Sequence, residues 1–163
     1  MILRIVLLAL IGSLLLPACA PKPSPTVSRT SSTAPVSLAS METSILQEVN
    51  KHRASKGLAP LKESTIIDTE AALHSQQMAS KQVPFGHDGY EKRIARIDQR
   101  LGGAGSSAEN VAYGNLSARE VVQSWLKSPG HKKNIEGRYN LTGIGVSRSK
   151  QGVIYYTQIF TQK

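Results

Sequence analysis

The chain has 163 residues, room for one ordinary domain of about 100 to 150 residues and little else. It is 40% hydrophobic and 19% charged, which suits a packed fold, and its formal charge of +9 favours anionic counter-surfaces. Aromatic residues make up only 5%, no nucleic-acid-binding signature is present, and the chain opens on an export signal, so nucleic acid is excluded as a partner.

That export signal occupies residues 1–18. Arg4 gives a short positive start and Ile5 to Leu16 is an apolar run broken only by Gly12 and Ser13, the layout of a secretory signal peptide. The run is shorter than the roughly 20 apolar residues a spanning helix needs. The sequence Leu16-Pro17-Ala18-Cys19 that follows resembles the bacterial lipobox, although Pro17 stands where a small residue is usual. Cys19 is the only cysteine, so no intramolecular disulfide can form, and lipidation (palmitate among the acyl chains) would account for the odd thiol of an exported chain. Several acyl chains would anchor the protein to a membrane stably. Because Ala20 and not Asp follows the cysteine, the outer membrane is the expected address if the source has two membranes. The alternative is cleavage after Ala18 with a free thiol.

Residues 19–40 read as the lipidated cysteine and a linker rich in Pro, Ser and Thr, with too few large apolar groups to offset the entropy of ordering. The folded domain is expected over 41–163. Ser44 and Gln47 form a capping-box pattern ahead of Ile45, Leu46 and Val49, which predicts a helix from about 45 to 56, ended by Gly57 and Pro60. His52, among Lys51, Arg53 and Lys56, reads as solvated helix surface. A second helix is predicted from about 65 to 81, with Ile67, Ala71, His74 and Met78 on one stripe, which makes His74 a core histidine. Ile94, Ile97 and Leu101 suggest a third, shorter helix, followed by a glycine loop at 102–105.

Ser117 and Glu120 form another capping box, opening a helix that carries Val121, Val122, Trp125 and Leu126. Ser128-Pro129 then starts a separate short helix to Ile135. The period changes near the end: 142–148 and 153–161 read as two strands around a turn at 149–152, with Trp125 and Phe160 as core. Helices early and strands late, without βαβ alternation, indicate an α+β layered domain.

Six stretches in order, LQEVNKHRASKGLAPL near 50, HSQQMA at 74, GHDGYEKRI at 86, AENVAYG at 108, SWLKSPGHKKNI at 124 and IYYTQIF at 154, resemble the bacterial branch of the CAP superfamily. This is the superfamily of cysteine-rich secretory proteins, antigen 5 and plant pathogenesis-related proteins, also called SCP-like extracellular domains. The resemblance covers roughly residues 45–160. It implies a three-layer α-β-α sandwich around a small antiparallel sheet, with a cleft lined by two histidines and two acidic residues that binds a divalent metal in some members. By position, His87 answers to the first histidine and Glu109 to the first acid. Tyr155 stands where eukaryotic members carry the second histidine, the bacterial branch offers His131 instead, and the second acid falls near Ser128.

Two imidazoles and a carboxylate are a first shell suited to zinc, with calcium a second possibility, so His87, His131 and Glu109 are the candidate metal ligands and the candidate catalytic groups. With Tyr155 they make up the expected ligand cleft. His131, in the first turn of a short helix, is expected to be neutral, or alternatively to stitch its turn to the next segment. Glu109 is either a site carboxylate or one that satisfies loop amides. The favoured reading is a non-catalytic envelope module that binds a lipid, a glycan or a protein. The alternatives are a metal-dependent hydrolase of peptide or ester bonds and a structural envelope protein that docks on anionic polymers.

Overall fold

The computed structural model describes residues 37–163. The expected signal peptide, Cys19 and nearly all of the expected linker lie outside the described residues. The first helix, α1 (Leu38–Ser55), begins seven residues before the predicted start. Its cap is Ser37, whose Oγ accepts from the Ser40 amide at 3.1 Å. Ser44 is inside the helix and donates to the Ser40 carbonyl instead. The extension has a packing cause: Met41, Ile45 and Val49 are all buried, four residues apart on one face, so the apolar stripe starts a full turn before Ile45. Arg53 continues that stripe and is buried, and the ring of His52, expected on solvated surface, is instead largely covered with Nε2 2.9 Å from Glu136 Oε1.

The remaining elements are β1 (Lys62–Glu63), α2 (Thr65–Ala79), α3 (Tyr90–Leu101), β2 (Ser107–Tyr113), α4 (Ala118–Lys127), α5 (Pro129–Ile135), β3 (Leu141–Arg148) and β4 (Ile154–Thr161). The α4 capping box forms in full: Ser117 Oγ accepts from the Glu120 amide and the Glu120 carboxylate accepts from the Ser117 amide. Pro129 occupies the first turn of α5, where its missing N–H has no cost.

The sheet has the order β1-β3-β4-β2. β3, β4 and β2 pair antiparallel, whereas β1 pairs parallel to β3, so the sheet is mixed and not purely antiparallel. β1 and β3 are far apart in sequence and no hairpin joins them, which leaves their relative direction free.

On one face, α2 and α3 pack Ile67, Ala71 and Ile97 against Ile159. Here β3 carries Gly143 and Gly145, and a Cβ at either would run into the α2 backbone at Ile67–Asp68 or Ala71–Ala72, so the helix lies directly on the strand. On the other face, α1, α4 and α5 contribute Ile45, Val49, Val121, Trp125 and Ile135, which pack on Ile144, Val146, Tyr156 and Phe160. The result is the expected α-β-α sandwich.

Candidate functional site

Glu109 lies on β2, opposite Ile159 of β4, and its side chain is 1% exposed. A buried carboxylate needs paired charge and hydrogen bonds. Arg93, from the first turn of α3 and itself buried, supplies both: Nε donates to Oε2 at 2.9 Å and Nη2 to Oε1 at 2.9 Å. The same guanidinium donates through Nη1 to the Asp88 carbonyl at 3.0 Å, tying the loop before α3 to the sheet.

That loop carries His87. It turns into α3 through Gly89, whose φ of 76° is in the left-handed region where a side chain is disfavoured. The Gly86 carbonyl lies 2.9 Å from Nε2 of the fully buried His74 on α2. Burial, the largest influence, lowers the His74 pKa, so the ring is neutral and donates through Nε2 to that carbonyl. His74 is a core residue, as expected, but one that anchors the site loop. With the loop held at both ends, His87 Nδ1 meets Glu109 Oε1 at 2.9 Å. The carboxylate accepts there, so Nδ1 carries the hydrogen and Nε2 of this half-exposed ring (52%) is the nitrogen left for a ligand.

His87 and Glu109 open on a cavity of about 650 Å³ that Tyr90, Lys92, Ala108 and Asn134 also line. Burial, reinforced by the Glu109 charge, pushes the Tyr90 phenol up to about 12, so it keeps its proton throughout the physiological range. Asn134 of α5 donates to the Glu109 carbonyl at 3.3 Å and to Asn110 Oδ1 at 2.8 Å, and Asn110 in turn donates to the His131 carbonyl at 3.2 Å. These bonds fasten α5 to β2 beside the cavity.

The structure therefore brings His87 and Glu109 into contact. His131 flanks them: its pKa is lowered, first by burial and then by the nearby His87, but the α5 side chain that lines the cavity is that of Asn134. The expected neutral ring has burial as its main cause. Tyr155 shares a sheet face with Glu109 but lies four residues along β4 from Ile159, roughly 13 Å away, stacked on Tyr113 with ring centroids 5.9 Å apart. The sequence reading missed Arg93 and Asn134. Arg93 left a signal, since it precedes Ile97 and Leu101 at helical spacing on the apolar stripe, where an arginine implies a buried counter-charge.

The proposed zinc or calcium shell does not fit these residues. Both Glu109 oxygens accept from Arg93, which places a fixed positive charge where a cation would have to approach, and His87 turns Nδ1 to the same carboxylate. Among the described residues no three His, Cys, Asp or Glu side chains are grouped to hold a metal ion.

The model of the cysteine-rich secretory protein family, CAP, matches residues 46–160. Two Bacillus subtilis proteins are similar over most of this chain: YkwD is 32% identical over 136 residues, and the membrane protein YlbC is 31% identical over 127. The matches take in 82% and 75% of this chain but only 52% and 34% of those proteins, so the chain spans about half the length of one relative and a third of the other. Among solved structures, an extracellular SCP-domain protein from Bacillus anthracis superposes with a TM-score of 0.61 at 27% identity, covering 80% of this chain and 45% of that one. A cysteine-rich secretory protein from Staphylococcus aureus gives 0.63 at 25%, with 77% and 39% covered. An outer surface protein of Borrelia burgdorferi gives 0.63 at 18%, with 73% and 90% covered, and shares the fold.

Proposed function

The chain belongs to the cysteine-rich secretory protein family, and from that premise we propose that it is an extracytoplasmic module whose His87–Glu109 pocket binds a ligand without transforming it. The observation that carries this reading is the Arg93 clamp. With both oxygens of Glu109 committed to a guanidinium, the carboxylate is a fixed support for His87 and not a base directed at the cavity. No Ser, Thr or Cys is among the described residues that line the cavity, so His87 has no aliphatic hydroxyl or thiol to activate there, and the Tyr90 phenol is held protonated. What it offers is recognition: Nε2 of His87 as acceptor, the Tyr90 hydroxyl, the Asn134 amide and the Lys92 ammonium, set around an open hollow.

Export is supported by the apolar leader and by the surface or extracellular setting named for the structural relatives. Cys19 is the proposed anchor, which would hold the domain outside the cytoplasm on a membrane. Labelled palmitate incorporated into the chain and lost in Cys19→Ser tests this point.

The ligand presents a hydrogen-bonding head to His87 Nε2, and envelope lipids, glycans and protein side chains all carry such groups. The full chain is incubated with lipid and glycan fractions of a bacterial envelope and with model peptides and esters. Retention of an intact compound, lost in His87→Ala, is the expected result. Turnover of a peptide or ester that disappears in the same variant would overturn the reading in favour of a hydrolase.

A further inference from the structure

A second hollow, of about 480 Å³, lies between the C-terminal end of α2 and the β3–β4 hairpin and shares no lining residue with the His87 cavity. Lys81, Arg148 and Lys150 bring three cations to it, no Asp or Glu lines it, and Ser80, Ser147 and Gln76 add hydroxyls and an amide. None of the three cations forms an ion pair among the described residues. Lys81 has φ 61° just past the end of α2, a left-handed position usually given to glycine and unfavourable for a lysine. The hairpin that carries Arg148 and Lys150 is braced: the Ser149 amide donates to the Val153 carbonyl, the Val153 amide to Ser149 Oγ, and Arg148 Nη1 to the Gly152 carbonyl.

An aromatic row begins at the edge of this hollow. In the sheet register Ser147 faces Tyr155 and Tyr155 faces Tyr113, so the three cross β3, β4 and β2 at spacings of about 5 Å. Tyr113 stacks on Tyr155, Phe85 sets its ring against Tyr113 with centroids 4.8 Å apart, and Phe85 and Tyr113 are 47% and 58% exposed. Large exposed aromatics arranged beside unpaired cations have no role in packing the core.

We propose that the hollow and the aromatic row form one binding site for an acidic polysaccharide. Carboxylate or phosphate groups on the polymer meet Lys81, Arg148 and Lys150. The C–H faces of its sugar rings, which carry partial positive charge, lie on the negative ring faces of the Phe85–Tyr113–Tyr155 row. The site stands apart from the pocket function proposed above and does not depend on it.

The test measures binding of the full chain to oligogalacturonate, with polyglutamate as a polyanion without sugar rings, neutral galactan, and phosphatidylglycerol vesicles. Expected is binding of oligogalacturonate above the other three, weakened by added salt. Affinity should fall at least tenfold in Lys81→Ala/Arg148→Ala/Lys150→Ala and at least threefold in Tyr113→Ala, with thermal melting near that of the parent, and should be unchanged in His87→Ala. Equal binding of polyglutamate with no response to Tyr113→Ala means bare charge attraction and overturns the proposal, as do preferential binding of the vesicles and no binding of oligogalacturonate. Loss of binding in His87→Ala places the ligand in the other cavity and also overturns it.

Discussion

Arg93 and Glu109 form a buried, two-pronged ion pair that joins α3 to β2 at the floor of the cavity. Each side chain is nearly inaccessible, at 4% and 1% exposed, so water cannot replace a lost partner. Removing either member leaves an uncompensated charge, and we expect Arg93→Ala and Glu109→Ala each to cost about 3 to 5 kcal/mol. Removing both should cost less than the two losses added together, by at least about 1 kcal/mol. Urea unfolding of the four proteins in the cycle checks this, and additive losses would show that the pair is not a unit.

Arg53 is held by a different principle, with no carboxylate at all. Its guanidinium donates to the carbonyls of Ala59, Ile135, Gly137 and Tyr139, closing the loop after α1 onto the segment that leaves α5. Burial lowers its pKa without removing its charge in any accessible pH range. Arg53→Met should leave buried carbonyls without donors and lose about 3 to 5 kcal/mol, while Arg53→Lys, a point donor in place of a fork, should lose about 2. The midpoints of urea denaturation distinguish the two, and an Arg53→Lys variant as stable as the parent would show that the charge and not the fork matters.

These two arginines also mark where the sequence was hard to read. The α4 cap was legible because Ser117 and Glu120 satisfy each other within one turn, with no help from the rest of the fold. The start of α1 was not: Ser44 and Gln47 imitate a capping box, and only the seating of Met41 in the core reveals the earlier turn. β2 escaped because Glu109 and Asn110, both buried, break the alternation that marks a strand. His87 and Glu109 came through resemblance to a family. Arg93 did not, because its role is set by a carboxylate that lies 16 residues on and reaches it only through the fold.

The contact of α2 with β3 predicts a sharp steric penalty. At Gly145 an added methyl group would overlap backbone atoms of Ala71 and Ala72, which cannot move without shifting the helix. Gly145→Ala should therefore destabilise by about 3 kcal/mol or more, at the upper end of overpacking losses. Gly130, on α5 with open space around it, is the control: Gly130→Ala should leave stability unchanged or raise it by up to about 1 kcal/mol. Thermal denaturation of both variants tests the contrast.

Asp68 and Glu42 occupy the side of β3 that β1 leaves uncovered, where Asp68 Oδ1 accepts from the Ile144 amide and Glu42 Oε1 from the Val146 amide, both at 2.9 Å. The carboxylates cap the free N–H groups of an edge strand. Burial, reinforced by the charges of Glu63 and Glu42 and opposed by the Ile144 bond, raises the Asp68 pKa from 3.8 to about 6. Between those values the folded chain holds a proton that the unfolded chain has lost. The contribution of Asp68 to stability is thus fully present below pH 3.8 and lost as pH rises through about 6. Asp68→Asn keeps an oxygen for the Ile144 amide and removes the charge, so it should match the parent near pH 4 and exceed it at pH 7. After discounting for the water that reaches this half-buried group, the gain is about 1 kcal/mol. Urea unfolding of parent and variant across pH 4 to 7 measures the difference, and a gap that shrinks as pH rises would contradict the assignment.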